Sequence, residues 1–133
     1  MLNLPLPIDE LTLEPNDNFT GIVNRAEVAK ASDGSVRMFQ VRFQSKARTH
    51  WHTHSGEQVL IAVEGKCLVK REGQAPVILG EGEAIALPAN ERHWHGAVGN
   101  SVGCHLALNN KLKTTWFEEV GNEDYEKAWL EAR

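Results

Sequence analysis

The chain has 133 residues, of which 41% are hydrophobic, and a formal net charge of −4 from 14 basic and 18 acidic side chains. This length points to a single domain, residues 1–133, that can bury a core. The mild acidity argues against a nucleic-acid partner, because such partners need a basic face. No stretch approaches the ~18 apolar residues of a membrane span. The start, MLNLPLPIDE, lacks the basic and apolar regions of a signal peptide. Two cysteines make no disulfide framework, so we expect a cytoplasmic protein that contacts no membrane.

Short strand-like segments separated by turn residues follow one another along the chain. Segments 19–31 and 36–43 flank the turn signal SDGS. Further segments follow at 57–65, 66–73, 75–92 (two short strands around GEGE), 101–110 and 114–120. Strands at this roughly 8–12-residue spacing are typical of a sandwich or barrel. We therefore expect an all-β domain with its core at about 36–110 and an N-terminal arm at 1–18.

Only the end of the chain, NEDYEKAWLEAR at 122–133, has a helical pattern. Asn122 is the expected N-cap, and two acidic residues suit the first turn. Tyr125, Trp129 and Ala132 make one apolar stripe. We expect a short C-terminal helix whose stripe docks on the β-domain or on a partner subunit.

Six histidines fall in three short segments of the chain, at His50, His52, His54, His93, His95 and His105. Alternate residues of a strand face the same side. His52 and His54 therefore project together, as do His93 and His95, and His105 can approach from a third strand. For His50 alone, a surface position at the rim is the simpler expectation. For the set as a whole, burial without partners would be costly.

A metal ion would satisfy such a set, because the neutral imidazole is the commonest metal ligand. Gln58 follows His54 by four residues, an even number, so its side chain can lie on the same face as those of His52 and His54. We favour it as a further ligand. Two acidic residues are less suitable as this ligand. Glu57 is an odd number of residues from His52 and His54, so its side chain would face the other side, and Glu64 is too far along its strand. Neutral ligands would leave a divalent ion strongly Lewis acidic.

These residues resemble two motifs of the cupin family. HWHTHSGEQVLIAVEG resembles the first motif, with His52, His54, Gln58 and Gly65 at its positions. LPANERHWHGAVGN resembles the second, with Pro88 and His93. Further stretches, HWHGA, CHLAL and WFEEVGNEDYEKAW, are similar to the small bacterial cupins that include manganese-dependent hydroxynitrile lyases and relatives associated with carboxymuconolactone decarboxylase.

The resemblance implies a jelly-roll β-barrel and one divalent metal ion per chain, most often manganese. Its ligands would be His52, His54, Gln58 and His93, and His95 and His105 would be catalytic cavity residues. The imidazole and amide donors also accept Fe, Ni, Co or Zn.

Three functions fit this pattern. The first is a metal-dependent lyase of the hydroxynitrile-lyase type, an aldehyde lyase that acts on a small hydroxy or carbonyl compound, with His95 or His105 moving the proton. The second is a cupin dioxygenase with iron or copper. The third is a module that binds a metal and a metabolite without catalysis. The fold by itself does not choose among them.

The apolar residues suggest where partners and substrate would lie. Trp51 and Trp94 alternate with the histidines, so we expect them on the outer face, packed there or in a homodimer interface together with 115–120. We expect a homodimer or higher homo-oligomer that acts on a small molecule. Expected pocket walls are Met38, Leu60, Ala62 and Leu87.

Overall fold

The structure is a computed structural model that describes residues 1–111 and 113–132. Its elements in chain order are a 3-10 helix (Ile8–Glu10), β1 (Thr12–Leu13), β2 (Phe19–Thr20), β3 (Val23–Lys30), β4 (Val36–Phe43), β5 (Arg48–Thr49), β6 (His52–His54), β7 (Gln58–Gly65), β8 (Cys67–Arg71), β9 (Val77–Leu79), β10 (Ala84–Leu87), β11 (His93–Ala97), β12 (Gly103–Asn110), β13 (Thr114–Trp116) and α1 (Asn122–Glu131). In these ranges no helix is long and apolar enough to cross a membrane.

The strands form two antiparallel sheets. One sheet has the order β1-β3-β4-β12-β7-β10. The other has the order β13-β6-β11-β5-β2, and β8 adds to it by pairing with β11 and β9. The sheets form a jelly roll rather than one continuous closed barrel. The expected all-β fold with a short C-terminal helix is therefore confirmed.

The predicted strands differ from the observed ones mainly at their ends. Segment 19–31 is divided into β2 and β3, and 114–120 contains a strand only over Thr114–Trp116. The segment around GEGE contains two strands, β9 and β10, as expected.

A core between the two sheets leaves room for a cavity at one end. Leu60, Ala62 and Leu87 pack in a buried cluster with Cys67, Val69, Leu79 and Ala107. The cavity itself is walled elsewhere, by residues such as Phe19, Val41 and Trp116. The predicted pocket walls are therefore wrong: Leu60, Ala62 and Leu87 belong to the packed core, and Met38 does not line the cavity. Odd or even spacing along a strand predicts which face of the sheet a side chain lies on, but it does not predict whether that part of the sheet lines the cavity or the packed core.

The glycine that ends the first motif is required by its backbone. Gly65 closes β7 with φ 63°, in the left-handed region that other residues rarely adopt. A Cβ added to Gly65 would lie 2.2 Å from the carbonyl oxygen of Val102. This turn directs the chain from β7 into β8 beside the start of β12.

The C-terminal helix covers the outer face that carries the tryptophans. Trp94 is buried in a cluster with Tyr125 and Ala128 of α1, and Trp51 packs against the same cluster. Arg48 anchors the junction before the helix, since its guanidinium donates to the carbonyl oxygen of Val120 at 2.6 Å. Of the two roles expected for this face, packing within the chain or a dimer interface, the structure shows packing against the chain's own helix around Trp94.

The helix begins differently from the prediction. Asn122 is the first helical residue, and Gly121 occupies the N-cap position. The side-chain oxygen of Asn122 accepts a hydrogen bond from Arg48 at 2.9 Å. Tyr125 and Ala128 are the buried helical residues, and Ala132 follows the last turn.

Candidate metal centre

Two histidines from neighbouring strands begin the site. His52 of β6 and His93 of β11 are directly paired in the antiparallel register, and their ring centroids are 4.2 Å apart. Directly opposite residues of an antiparallel pair place their side chains on one face. Both side chains are 1% exposed, so the pair lies inside the domain.

The backbone sets the tautomer of both rings. Nδ1 of His52 donates to the carbonyl oxygen of His50 at 2.9 Å, and Nδ1 of His93 donates to the carbonyl oxygen of Glu91 at 2.9 Å. A carbonyl oxygen can only accept, so the proton of each neutral ring is on Nδ1 and the Nε2 lone pair is free. Metal-binding histidines are held in this way.

His54 and Gln58 lie beside this pair. Nε2 of His54 is 3.1 Å from Oε1 of Gln58, and Nδ1 of His54 is 2.9 Å from Oγ1 of Thr114. The amide of Gln58 donates to Oδ1 of Asn109 at 2.8 Å, which directs its oxygen toward His54. Two atoms that share an octahedral ion at about 2.1 Å are about 3 Å apart, close to the observed separation.

His95 and His105 form a second pair further inside. Nδ1 of His95 lies 2.9 Å from Nε2 of His105, so one ring donates to the other. The backbone N–H of His95 donates to Oγ1 of Thr49 at 3.2 Å, which fixes the strand at this point. Both side chains are buried, and Nε2 of His95 has no hydrogen-bond partner among residues 1–111 and 113–132.

The structure brings histidines from different strands into one group, which residue spacing along single strands could not predict. Donor atoms of His52, His93 and His95 all lie within 4.8 Å of one another. His54 also adjoins them, with its ring centroid 4.9 Å from that of His52 and 5.1 Å from that of His93. All of the predicted ligands and both predicted cavity histidines therefore meet at one place, and His95 joins the candidate ligands. The ligand set itself stays a prediction.

Burial keeps these rings neutral. Burial, together with the nearby His93, lowers the pKa of His54 to about 4. Burial also lowers the pKa of His105 to about 4. It holds the pKa values of His52 and His95 well below the ordinary histidine value, with His93 adding to the effect on His52 and His105 to that on His95. Neutral rings with free lone pairs are the form that binds a cation.

The donor set fits a divalent metal ion. Nε2 of His93 and of His95 are buried and unpartnered within the described ranges, which is costly unless something binds them. Imidazole nitrogens with one amide oxygen suit ions such as Mn, Fe, Co, Ni and Zn. The cluster can therefore hold a cation and leave space for a small molecule next to it.

A cavity of about 60 Å³ opens beside the cluster. Phe19, Val41 and Trp116 supply apolar walls. The polar and charged side chains of the lining are Arg25, Thr49, His52, His54, Gln58, His95, His105, Asn109 and Thr114. His50 is absent from the lining, although its carbonyl oxygen holds His52.

Sequence reasoning missed the residues that orient the predicted ligands. Asn109 has the two-residue period of His105 along β12, so its parity was an available signal. Thr114 gave no such signal, because its contact with His54 depends on the pairing of β13 with β6.

Comparisons with known proteins agree with the fold and the motifs. Residues 39–108 match the family model of the cupin domain. Over 117 residues, the chain is 36% identical to an (R)-mandelonitrile lyase of Granulicella tundricola, which covers 85% of this chain and 89% of the relative.

Two solved structures extend the comparison. A cupin-like protein from Thermotoga maritima superposes with a TM-score of 0.84 at 32% identity, over 88% of this chain and 92% of that one. An acetylacetone dioxygenase from Acinetobacter johnsonii shares the fold with a TM-score of 0.69 at 11% identity, over 98% of this chain and 91% of that one. The family model, the mandelonitrile lyase and the two motifs together show that this chain belongs to the cupin family.

Proposed function

We propose that the protein is a metal-dependent lyase that reversibly cleaves a carbon–carbon bond in a small hydroxy or carbonyl compound. In the case of a cyanohydrin, the products are a carbonyl compound and cyanide. The observation that carries this proposal is the His95–His105 pair, whose outer nitrogen, Nε2 of His95, is free beside His52 and His93. The 36% identity to a mandelonitrile lyase supports the same reaction class.

The metal would be held by His52, His54, Gln58 and His93, and we propose Mn²⁺, with Fe, Ni, Co or Zn as ions that the same donors accept. When bound, such an ion stabilises negative charge on a substrate oxygen. His52 and His93 are ready for this role because each Nδ1 proton is held by a backbone carbonyl. Gln58 is ready because Asn109 orients its amide.

His95 is the proposed proton acceptor. Its Nε2 takes the hydroxyl proton of the cyanohydrin as the carbon–carbon bond breaks and the electron pair leaves with cyanide. The same nitrogen then returns the proton to cyanide, which departs as hydrogen cyanide. Proton transfer by a positioned histidine is worth about 10²–10⁴-fold in rate.

His105 supports this transfer from behind. When Nε2 of His95 is the base, the proton of Nδ1 lies toward Nε2 of His105, which accepts it at 2.9 Å. His105 can accept because its pKa is lowered to about 4 by burial, so it stays neutral near pH 7. The pair thus holds His95 in the tautomer whose Nε2 is free.

The test is to follow aldehyde release from racemic mandelonitrile and from an aliphatic cyanohydrin. Metal-loaded protein should release aldehyde well above the spontaneous rate in buffer, and protein treated with a chelator should lose that activity. Absence of release by protein with a full metal complement would contradict the proposal. Oxygen uptake by the iron-loaded protein would instead favour a dioxygenase. Tight metabolite binding without turnover would favour a binding module.

We further propose that the protein is a cytoplasmic homodimer or higher homo-oligomer that acts on a small molecule. Both cysteines, Cys67 and Cys104, are free and buried, which suits a reducing compartment.

A further inference from the structure

The entrance to the metal cavity is lined by basic side chains. A larger cavity of about 370 Å³ adjoins the inner one and shares Arg25, Phe39, Asn109 and Thr114 with it. Its other lining residues include Arg37 and Lys111, and no acidic residue of the described ranges lines it. We call this outer space the mouth of the cavity.

The two arginines of the mouth are held around one aromatic ring. The guanidinium carbons of Arg25 and Arg37 each lie 5.0 Å from the ring centroid of Phe39, whose strand also carries Val41 of the inner cavity. Such cation–π contacts restrict long side chains that would otherwise move freely in water. The mouth therefore presents two positioned guanidinium groups next to the inner cavity.

Each arginine is anchored through one nitrogen and leaves its end open. Nε of Arg25 pairs with Glu14 at 2.9 Å, and Nε of Arg37 pairs with Glu27 at 2.6 Å. The terminal Nη1 and Nη2 groups of both arginines donate no hydrogen bond to any residue in the described ranges. Planar guanidinium ends of this kind match the two oxygens of a carboxylate.

The charges around the mouth are not balanced. Among the residues that line the mouth and their ion-pair partners, three cations, Arg25, Arg37 and Lys111, stand against two carboxylates, Glu14 and Glu27. The difference is one positive charge, and Lys111 has no ion pair with a described residue. A single negative charge would complete the balance, which favours a carboxylate over a doubly charged phosphoryl group.

We propose that the substrate is a small hydroxy or carbonyl compound that carries a carboxylate, with its oxygenated end at the histidine cluster and its carboxylate at the mouth between Arg25, Arg37 and Lys111. This inference rests on the proposed function for the oxygenated end alone. The inner cavity, about 60 Å³ with apolar walls, accommodates the few carbon atoms between the two ends.

The experiment measures binding without turnover on the metal-loaded protein. The probes are 4-oxopentanoate, 5-oxohexanoate and 6-oxoheptanoate, each compared with its neutral methyl ester, so that the spacer length is scanned. Dissociation constants come from calorimetry. We expect one acid to bind about tenfold more tightly than its ester, since each of the three cations contributes on the scale of a partly exposed ion pair.

Replacing the three cations should remove this preference. In the Arg25→Gln/Arg37→Gln/Lys111→Gln variant, the acid should bind at most about twofold more tightly than its ester. Arg42→Gln is the matched control, because Arg42 also lies on β4 but outside the mouth, and it should keep the full preference. The acid preference of the wild type should also weaken with added salt.

Equal binding of acid and ester by the wild type at every spacer length would overturn the proposal, as would a triple variant that keeps the preference. Tighter binding of the corresponding phosphonates would overturn the assignment to a carboxylate. None of these outcomes depends on cyanohydrin cleavage. A protein that prefers the acids but cleaves no cyanohydrin would contradict the proposed function and leave this inference standing.

Discussion

His52 and His93 face each other directly across the antiparallel pair of β6 and β11, with ring centroids 4.2 Å apart. Each ring donates its Nδ1 proton to the carbonyl two residues earlier on its own chain segment. The two strands therefore present the same nitrogen, Nε2, in the same tautomer. A cation can bind to both without a change of rotamer or protonation state.

The first prediction concerns metal content. The His52→Ala/His54→Ala variant should lose stoichiometric metal, because it removes one ring of the facing pair and the ring beside Gln58. Elemental analysis of protein purified without chelator or added metal measures this. His50→Ala is the control and should retain the ion, since only its backbone carbonyl contacts the site. A full metal complement in the double variant would reject the ligand assignment.

The second prediction concerns a residue that touches a ligand rather than the ion. Asn109→Ala should weaken metal affinity about 10–100-fold, because the amide of Gln58 then loses the partner that orients it. Competition against a fluorescent chelator measures the affinity. Asn110→Ala, at the exposed end of the same strand, should leave it unchanged. Equal affinities in the two variants would mean that Gln58 is not a ligand or is oriented by other contacts.

The sequence located the candidate site because the period of a β-strand is a local property. Parity alone placed His52 with His54 and His93 with His95, and the structure brings both pairs to one cluster. Parity could not give the contacts that depend on how distant strands pair, such as Gln58 with Asn109. The same limit explains why Leu60 and Ala62 were expected in the pocket wall: they face inward, but they lie where the sheets pack closely.

The mouth shows a second limit of sequence reasoning. Arg25 and Arg37 lie on strands that alternate apolar and polar residues, where charged side chains are ordinarily solvated. Arg37 lies two residues before Phe39 on β4 and so shares its face, whereas Arg25 reaches the same ring only through the pairing of β3 with β4, which sets Arg25 opposite Val41. A charge becomes part of a site only through that register.

The third prediction is that the protein forms a homodimer or larger assembly. Since α1 covers Trp94, we expect the contact to use apolar residues that are exposed. Leu13 of the edge strand β1 is 62% exposed and Ile22 is 56% exposed, and unpaired edges of this kind favour association. Light scattering at tens of micromolar protein should give more than a monomer mass. Leu13→Arg/Ile22→Arg should lower that mass, whereas Leu130→Arg on α1 should not. A monomeric wild type would reject the prediction.

The fourth prediction concerns acid sensitivity of the metal-free protein. His105 and His54 have pKa values near 4 in the folded state, against the ordinary value of 6.5 in the unfolded chain. Between these values the unfolded chain binds more protons, so the free energy of unfolding must fall as the pH falls. Each shift corresponds to about 3 kcal/mol at most, lost progressively from about pH 6.5 to pH 4.

Urea unfolding in the presence of a chelator, at several pH values from 7.5 to 5, measures this slope. The range ends at about pH 5 so that carboxylates, which titrate near 4, contribute little. His105→Gln should reduce the slope, because it removes one of the depressed groups. A free energy of unfolding that stays constant from pH 7 to pH 5 would show that these rings take up no excess protons on unfolding.

The last prediction separates the roles of the two inner histidines. His95→Ala and His105→Ala should both keep the metal and lose turnover by about 10²–10⁴-fold, the scale of general acid–base catalysis. The reason is that Nε2 of His95 is the proposed proton acceptor and His105 holds its tautomer through the 2.9 Å contact. His105→Gln, which offers an amide oxygen to the Nδ1 proton of His95, should recover part of the rate lost in His105→Ala.

Metal content and rate must be measured on the same samples, because donor atoms of His95 also lie within 4.8 Å of those of His52 and His93. If His95→Ala loses the ion, His95 is a ligand and the base must be sought elsewhere. If both alanine variants keep the ion and the full rate, the pair moves no proton in the reaction.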